Sequence, residues 1–414
     1  MSVDISQPLT LPCGAVLKNR IAKAPMTEGL ADGWNRATHR HVTLYRTWAE
    51  GGSGLLITGN VQVDRRYLER PGNVVIDRNG GEHELRAYAA AGRIHDTHIW
   101  MQIGHAGRQT PRRVNPVPVA PSAIPLKLPE SAFGHPRALS GDEVEDVIRR
   151  FAHVATVARD TGFTGVQVHG AHGYLISEFL SPLANQRDDE WGGSLENRAR
   201  LLLETVKAIR TAVGADFPIS VKLNSSDFQT GGFSHEECLQ VVTWLDELGV
   251  DLLEISGGNY EQPSMVAGVP TETGETVRES TVAREAYFID YAAGMRNAAK
   301  KMALMVTGGF RTKTAMNDAL ASGNLEVIGI GRPLCVDPNI PRDLIDGTAD
   351  AATSYEAKIK PSKAGLSWFC LQILNLGDGR HTEPEMTGEQ AITRYLENEE
   401  ATAAALVGRE VAAA

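Results

Sequence analysis

GFTGVQVHGAHGY, residues 162–174, is the stretch on which the fold turns. Gly165 to His169 is a short apolar run that stops abruptly in Gly, His and Tyr, the pattern of a buried strand whose end carries polar groups. Immediately before it, Val144, Val147, Ile148, Phe151, Val154 and Ala158 recur at helical spacing, and Ser140 with Glu143 forms a capping box at the helix start. A helix feeding a buried strand is one unit of a parallel α/β sheet.

Outward from this unit the same alternation recurs. The strand candidates are Ile21 to Pro25, Gly54 to Thr58, His98 to Ile103, Gly165 to His169, Pro218 to Leu223, Asp251 to Ile255, Ala303 to Val306 and Glu326 to Ile330. A second capping box, Ser234 with Glu237, opens the helix through Leu239, Val242 and Leu245. Eight strands predict a single (β/α)8 TIM barrel over residues 1–347, within the length that such barrels reach as one unit. LTLPCGAVLKNR predicts an N-terminal hairpin that closes the barrel bottom, with Cys13-Gly14 at its turn. Pro111 to Pro136 holds seven prolines and predicts a long ordered loop over the top face. Residues 348–414 predict a C-terminal helical extension, packed on the barrel or on a neighbouring subunit.

Composition narrows the partners. With 41 Lys and Arg against 51 Asp and Glu, the net charge of -10 argues against nucleic acid or an anionic membrane and for a small-molecule ligand. Cys13, Cys238, Cys335 and Cys370 contain no C-x-x-C pair, so no zinc or iron–sulfur site is signalled, and reduced thiols suit the cytoplasm. The N-terminus has no basic and apolar leader pattern, and no apolar run is long enough to span a bilayer. The apolar tail bearing Trp368 and Phe369 suggests a homo-oligomer.

Barrel enzymes place their chemistry at the strand C-termini, so the residues closing each run take priority. Gly308-Gly309 after strand seven and Gly329-Ile330-Gly331-Arg332 after strand eight match a phosphate site of glycine turns, backbone N–H groups and one guanidinium. A G-x-G-x-x-G run is missing, which speaks against a separate dinucleotide domain. One phosphate clamp together with the Gln102 amide, suited to a pyrimidine edge, and the Lys222 ammonium, suited to reduced-flavin charge, fits non-covalently bound FMN. His169, His172 and Tyr174 place three proton-bearing groups within six residues at one rim position. His105 could complete a metal set, but no carboxylate or Cys accompanies it, and no metal is expected.

At this level of detail the chain resembles the Old Yellow Enzyme flavoproteins, the NADH:flavin oxidoreductase family, over most of residues 5 to 340. The stretches carrying the resemblance are LTLPCGAVLKNRIAKAPMTEG, WAEGGSGLLITGNVQVD, MQIGHAGRQ, GFTGVQVHGAHGYLISEFLSPLANQRDDEWGGSLENRARLL and IGIGRPL. The fourth is the most specific, since it joins H-x-x-H-G-Y to the N-x-R-x-D-x-x-G-G-S-x-E-N-R run of that family. The resemblance implies that Ala24, Pro25, Met26 and Thr27 lie along the flavin, with Thr27 tuning its potential near the C4 carbonyl. It adds Gly59, Gln102 and Lys222 as further flavin contacts, Lys222 standing where Arg is common, and Gly309, Gly331 and Arg332 as the phosphate clamp.

In that family His169 and His172 match the pair that holds the activating oxygen of the substrate, and Tyr174 matches the proton donor. The implied activity is an ene-reductase. NADH or NADPH reduces FMN, flavin N5 gives hydride to an activated alkene conjugated to a carbonyl or nitro group, and Tyr174 supplies the proton. Gly29 stands where some members carry a substrate-contacting Tyr, leaving Tyr67 or the proline-rich loop to supply that wall. With only Cys370 after the barrel, the chain resembles the single-domain type. Two other readings stay open on the residues alone: a phosphate-binding barrel isomerase or aldolase with His169 as base, and a flavin-binding protein with little turnover.

Overall fold

The computed structural model describes residues 3–257, 260–261 and 292–407. The eight strand candidates all form: β1 Ile21–Lys23, β2 Leu55–Ile57, β3 His98–Gly104, β4 Gly165–Gly170, β5 Ile219–Asn224, β6 Leu252–Ser256, β7 Ala303–Thr307 and β8 Val327–Ile330. Each pairs in parallel with the next, β8 pairs with β1, and the ring closes into a barrel. Two short strands unforeseen in the sequence, Val61–Gln62 and Val74–Val75, extend the sheet beyond the top of β3.

The helices α1 His39–Glu50, α2 Glu82–Gly92, α3 Gly141–Asp160, α4 Leu175–Leu180, α5 Leu195–Val213, α6 His235–Glu247, α7 Lys313–Ala321 and α8 Ile340–Asp346 follow the strands. Both predicted capping boxes are made: Ser140 and Ser234 accept from Glu143 and Glu237 N–H groups, and each carboxylate returns to the cap backbone. The N-terminal hairpin pairs Leu9–Thr10 with Val16–Leu17. Its Gly14 takes φ +90°, which a side chain rarely adopts, while Leu11 and Leu17 pack with Ala22, Leu55, Trp100 and Leu252 in the lower barrel.

The C-terminal extension adds α9 Gly365–Gly377 and α10 Gly388–Ala404, packed on each other, with α9 also against α1. Trp368 and Phe369 are buried inside this chain, so the apolar pair that suggested self-association is consumed by its own core. Residues 408–414 of the predicted extension lie outside the described residues. Among the described residues no helix is long and apolar enough to cross a membrane.

Candidate active site

Register builds the site floor. Gln102 pairs with Gln167 between β3 and β4, His169 with Lys222 between β4 and β5, and Lys222 with Glu254 between β5 and β6. These polar side chains are buried inside the barrel and satisfy one another. Gln102 Nε2 donates to Gln167 Oε1 at 2.8 Å, and Gln167 Nε2 donates to Ser220 Oγ and to Glu254 Oε2 at 3.1 and 2.9 Å. Lys222 Nζ and Thr307 Oγ1 both donate to Glu254 Oε1, at 2.9 and 2.7 Å. An ion pair this buried holds its place because hydrogen bonds surround it.

The first two strand ends are locked from below. Lys23 is wholly buried and donates to Ile57 O at 2.6 Å and Ala24 O at 3.0 Å, bridging β1 and β2 beneath the Ala24–Thr27 segment. Its ammonium lies 4.6 Å from the Trp48 ring, and burial pushes its pKa down to about 8. Glu28 takes a hydrogen bond from Gly59 N–H at 2.8 Å and a short one from the Tyr45 hydroxyl. A Cβ at Gly59 would meet Glu28 and the Met26 carbonyl at 2.2 and 2.5 Å, so only glycine permits this approach.

After β4 the chain carries His169, His172 and Tyr174 to one place. The rings of His169 and His172 are 5.1 Å apart, and those of His169 and Tyr174 4.8 Å apart, both edge to face. His172 takes φ +63°, a strained position for a side-chain-bearing residue, and its N–H donates to Asn224 Oδ1 at 3.1 Å. Its Nε2 lies 2.6 Å from Ser256 Oγ. His169 Nδ1 accepts from Ala171 N–H at 3.3 Å, which leaves Nε2 as the protonated nitrogen of a neutral ring. Burial pushes both imidazoles well below their ordinary pKa, with Lys222 acting in the same direction.

Tyr174 ends the turn and caps the start of α4, whose Glu178 N–H donates to Tyr174 O at 2.8 Å. Its hydroxyl is 2.9 Å from the Tyr260 hydroxyl and also interacts with the Asn60 side chain. Burial, then Tyr260 and Glu69, hold the phenol well above its ordinary pKa, so it stays protonated. Glu178 braces the turn: its Oε1 accepts from Arg108 N–H at 2.9 Å, and burial raises its carboxyl to about 8.

Of the two sources expected for the pocket wall, the proline-rich loop reaches the trio by way of Tyr260. Tyr67 stacks on His105 with centroids 5.0 Å apart, interacts with Arg137, and makes no ring contact with the trio among the described residues. The aromatic against Tyr174 is Tyr260, which follows β6 and is met by Phe133 of the proline-rich loop at 6.1 Å. Glu261 pins that loop, accepting from Lys127 N–H at 2.8 Å and from Arg108 Nη2 at 3.1 Å. At Gly29, φ +70°, a Cβ would lie 2.9 Å from Arg70 Cζ: the space of the missing side chain is taken by a guanidinium.

At the top of β7 and β8, Gly308 and Gly309 both adopt positive φ, +119° and +82°, so the turn needs glycine at each. Arg332 Nε and Arg311 Nη2 converge on Glu356 Oε1, at 3.3 and 2.5 Å. Arg311, Glu254, Glu69, Arg70 and Tyr260 escaped the sequence reading, because each is a single polar residue outside any motif.

These residues fit a flavin mononucleotide. Asn60 Oδ1 is a buried acceptor with no hydrogen-bond partner among the described residues, facing the rim beside Thr27. The amide of Gln102, the ammonium of Lys222 and two arginines beside a double-glycine turn complete a donor set for a pyrimidine edge and a phosphate.

Comparison with known proteins agrees. The family model for the NADH:flavin oxidoreductase / NADH oxidase family matches residues 4–351. The chain is 35% identical over 378 residues to the NADH-dependent flavin oxidoreductase iliE of Hypocrea jecorina (strain QM6a), covering 86% of this chain and 93% of that protein. It is 34% identical over 357 residues to iliE of Neonectria sp. (strain DH2), covering 82% of this chain but spanning only 46% of that longer protein. In fold it is similar to the Old Yellow Enzyme homologue from Zymomonas mobilis, with a TM-score of 0.69 at 24% identity over 84% of this chain and 94% of that one. A matching family model, matching relatives and a closed eight-strand barrel lead to one statement: this chain belongs to the NADH:flavin oxidoreductase / NADH oxidase family, whose members work with FMN and a nicotinamide.

Proposed function

We propose that this protein is an FMN-dependent ene-reductase that reduces alkenes activated by a carbonyl or nitro group, with NADH or NADPH as electron source. The observation that carries the reading is the packing of His169 between His172 and Tyr174 on one strand end, two neutral donors beside one protonated phenol. Ala24 to Thr27, Gly59, Gln102 and Lys222 would hold the isoalloxazine ring, and Gly309, Gly331 and Arg332, joined by Arg311, the phosphate. Bound FMN would supply two-electron hydride chemistry between nicotinamide and alkene.

The chain's own residues do the rest. His169, through Nε2, and His172 donate to the activating oxygen and draw electron density from the double bond. A ligand oxygen on His172 Nε2 competes with Ser256 Oγ, so Ser256 sets how firmly that donor is held. Tyr174 gives its hydroxyl proton to the α-carbon, and Tyr260, 2.9 Å away, is placed to restore it. Pro-rich-loop residue Phe133 and Tyr260 keep bulk water from this end.

The test is an anaerobic two-step titration. NADPH or NADH should bleach the yellow holoprotein, and cyclohexenone should restore the colour with stoichiometric formation of the saturated ketone. Reduction by nicotinamide with no reoxidation by enones, nitroalkenes or maleimides would sink the proposal.

A further inference from the structure

Thr27 has one hydroxyl proton, and the nearest acceptor for it is a carboxylate oxygen. Oγ1 lies 3.0 Å from Glu69 Oε2 and accepts from Asn60 Nδ2 at 3.4 Å, while Asn73 Nδ2 donates to the same Glu69 oxygen at 3.3 Å. An ionised carboxylate only accepts, so facing one, Thr27 commits its proton to Glu69. A protonated carboxyl reverses the direction: it donates to Thr27 Oγ1 and releases the Thr27 proton for another acceptor. Glu69 lies in the connection between the short strands Val61–Gln62 and Val74–Val75, half-buried, outside every motif of the sequence.

We propose that Glu69 decides, by its own protonation, whether Thr27 donates to the flavin, and so couples the reduction potential of the cofactor to a carboxyl that does not belong to the catalytic trio. This rests on the reading of the pocket as an FMN site. A donor to the ring stabilises its reduced form, so the potential is higher with Glu69 protonated. An ionised Glu69 lowers it twice, by removing the donor and by adding a negative charge nearby.

The surroundings place the carboxyl where it can switch. Burial raises its pKa, Glu399 of α10 acts in the same direction, and Arg70 with the amide of Asn73 and the hydroxyl of Thr27 oppose them. Arg70 is itself engaged by Glu399. Among the described residues, the phenols of Tyr174, Tyr260 and Tyr395 and the thiol of Cys370 are further titratable groups around Glu69.

The experiment measures the two-electron midpoint potential of the FMN holoprotein between pH 5.5 and 8.5, by dye equilibration, for wild type, Glu69→Gln, Thr27→Val and the double variant. At pH 8 Glu69→Gln should shift the reduction equilibrium about tenfold toward reduced flavin, about 30 mV for a two-electron couple. The shift should shrink as pH falls, and in the Thr27→Val background only the smaller part owed to the charge should remain. An equal shift in that background would show Glu69 acting as a bare charge and would overturn the proposal. Should Glu69→Gln not fold, the difference between wild type and Thr27→Val decides, since a gap that stays constant with pH overturns the proposal equally. A purified chain that takes up no FMN fails the cofactor reading itself, an outcome visible as missing flavin absorbance before any potential is measured.

Discussion

Arg70 and Glu399 form a buried ion pair across 329 positions of sequence, joining the segment beside Thr27 to the last helix of the chain. Both side chains are less than a tenth exposed, and the guanidinium also lies 3.4 Å from Cys370 Sγ and 5.2 Å from the Tyr395 ring. The C-terminal extension therefore holds the residue that fills the space above Gly29. Glu399→Gln should cost about 3 kcal/mol, because the buried guanidinium loses its counter-charge. The double variant Arg70→Met/Glu399→Leu should recover most of that loss in urea denaturation, and a double variant as unstable as the single one would contradict this account.

Tyr174→Phe separates the two half-reactions. Removal of the proposed general acid should slow reoxidation by cyclohexenone about 10²- to 10⁴-fold while leaving reduction by nicotinamide within about twofold. Stopped-flow absorbance of the flavin reads both steps. Equal losses in the two would assign Tyr174 a structural role.

Arg332 is expected to grip a phosphate and nothing else of the cofactor. Arg332→Ala should weaken FMN binding by about 1.5–3 kcal/mol, roughly tenfold to a hundredfold, as the loss of a charge-assisted bond does. Riboflavin, which has no phosphate, should bind the variant and the wild type alike. Fluorescence quenching of each flavin on the apoprotein measures this.

Neutral histidines predict a flat ligand profile. Because burial keeps His169 and His172 neutral, donation to a carbonyl uses a neutral N–H, and affinity for the unreactive cyclohexanone should hold steady between pH 6 and 8. A fall in affinity as pH rises through 6.5, read from the flavin spectrum, would instead indicate an imidazolium donor.

Glu178 carries a pH signature of the opposite kind to an ordinary surface carboxylate. Its folded pKa, about 8, lies above the ordinary 4.5, so the folded state retains a proton that the unfolded chain releases. Its contribution to stability is whole below pH 4.5 and is lost as pH rises through 8. Glu178→Gln, which cannot ionise, should therefore match wild type near pH 5 and exceed it near pH 8 in denaturant midpoint. A variant less stable than wild type at pH 8 would show that the charged carboxylate is the form the fold uses.

Much of this protein was written locally. The eight apolar runs, each closing in polar or glycine residues, determined the barrel, since strand length and helical period are properties of neighbouring residues. The run His169-x-x-His172-Gly-Tyr174 was legible for the same reason: three proton-bearing side chains sit on one strand end whatever the rest of the chain does. Tertiary structure alone decided what surrounds them. Tyr260 reaches Tyr174 only after the barrel brings the end of β6 around to β4, and Glu254 meets Lys222, Gln167 and Thr307 only through the registers of four strands. Tyr67, an aromatic near the rim in sequence, was carried onto His105 instead. Glu69 and Arg70 look in sequence like a pair of solvated charges. Arg70 is buried because it pairs with Glu399 of α10, a contact whose cost in chain entropy is met only when the whole barrel has formed, and Glu69 beside it reaches Thr27.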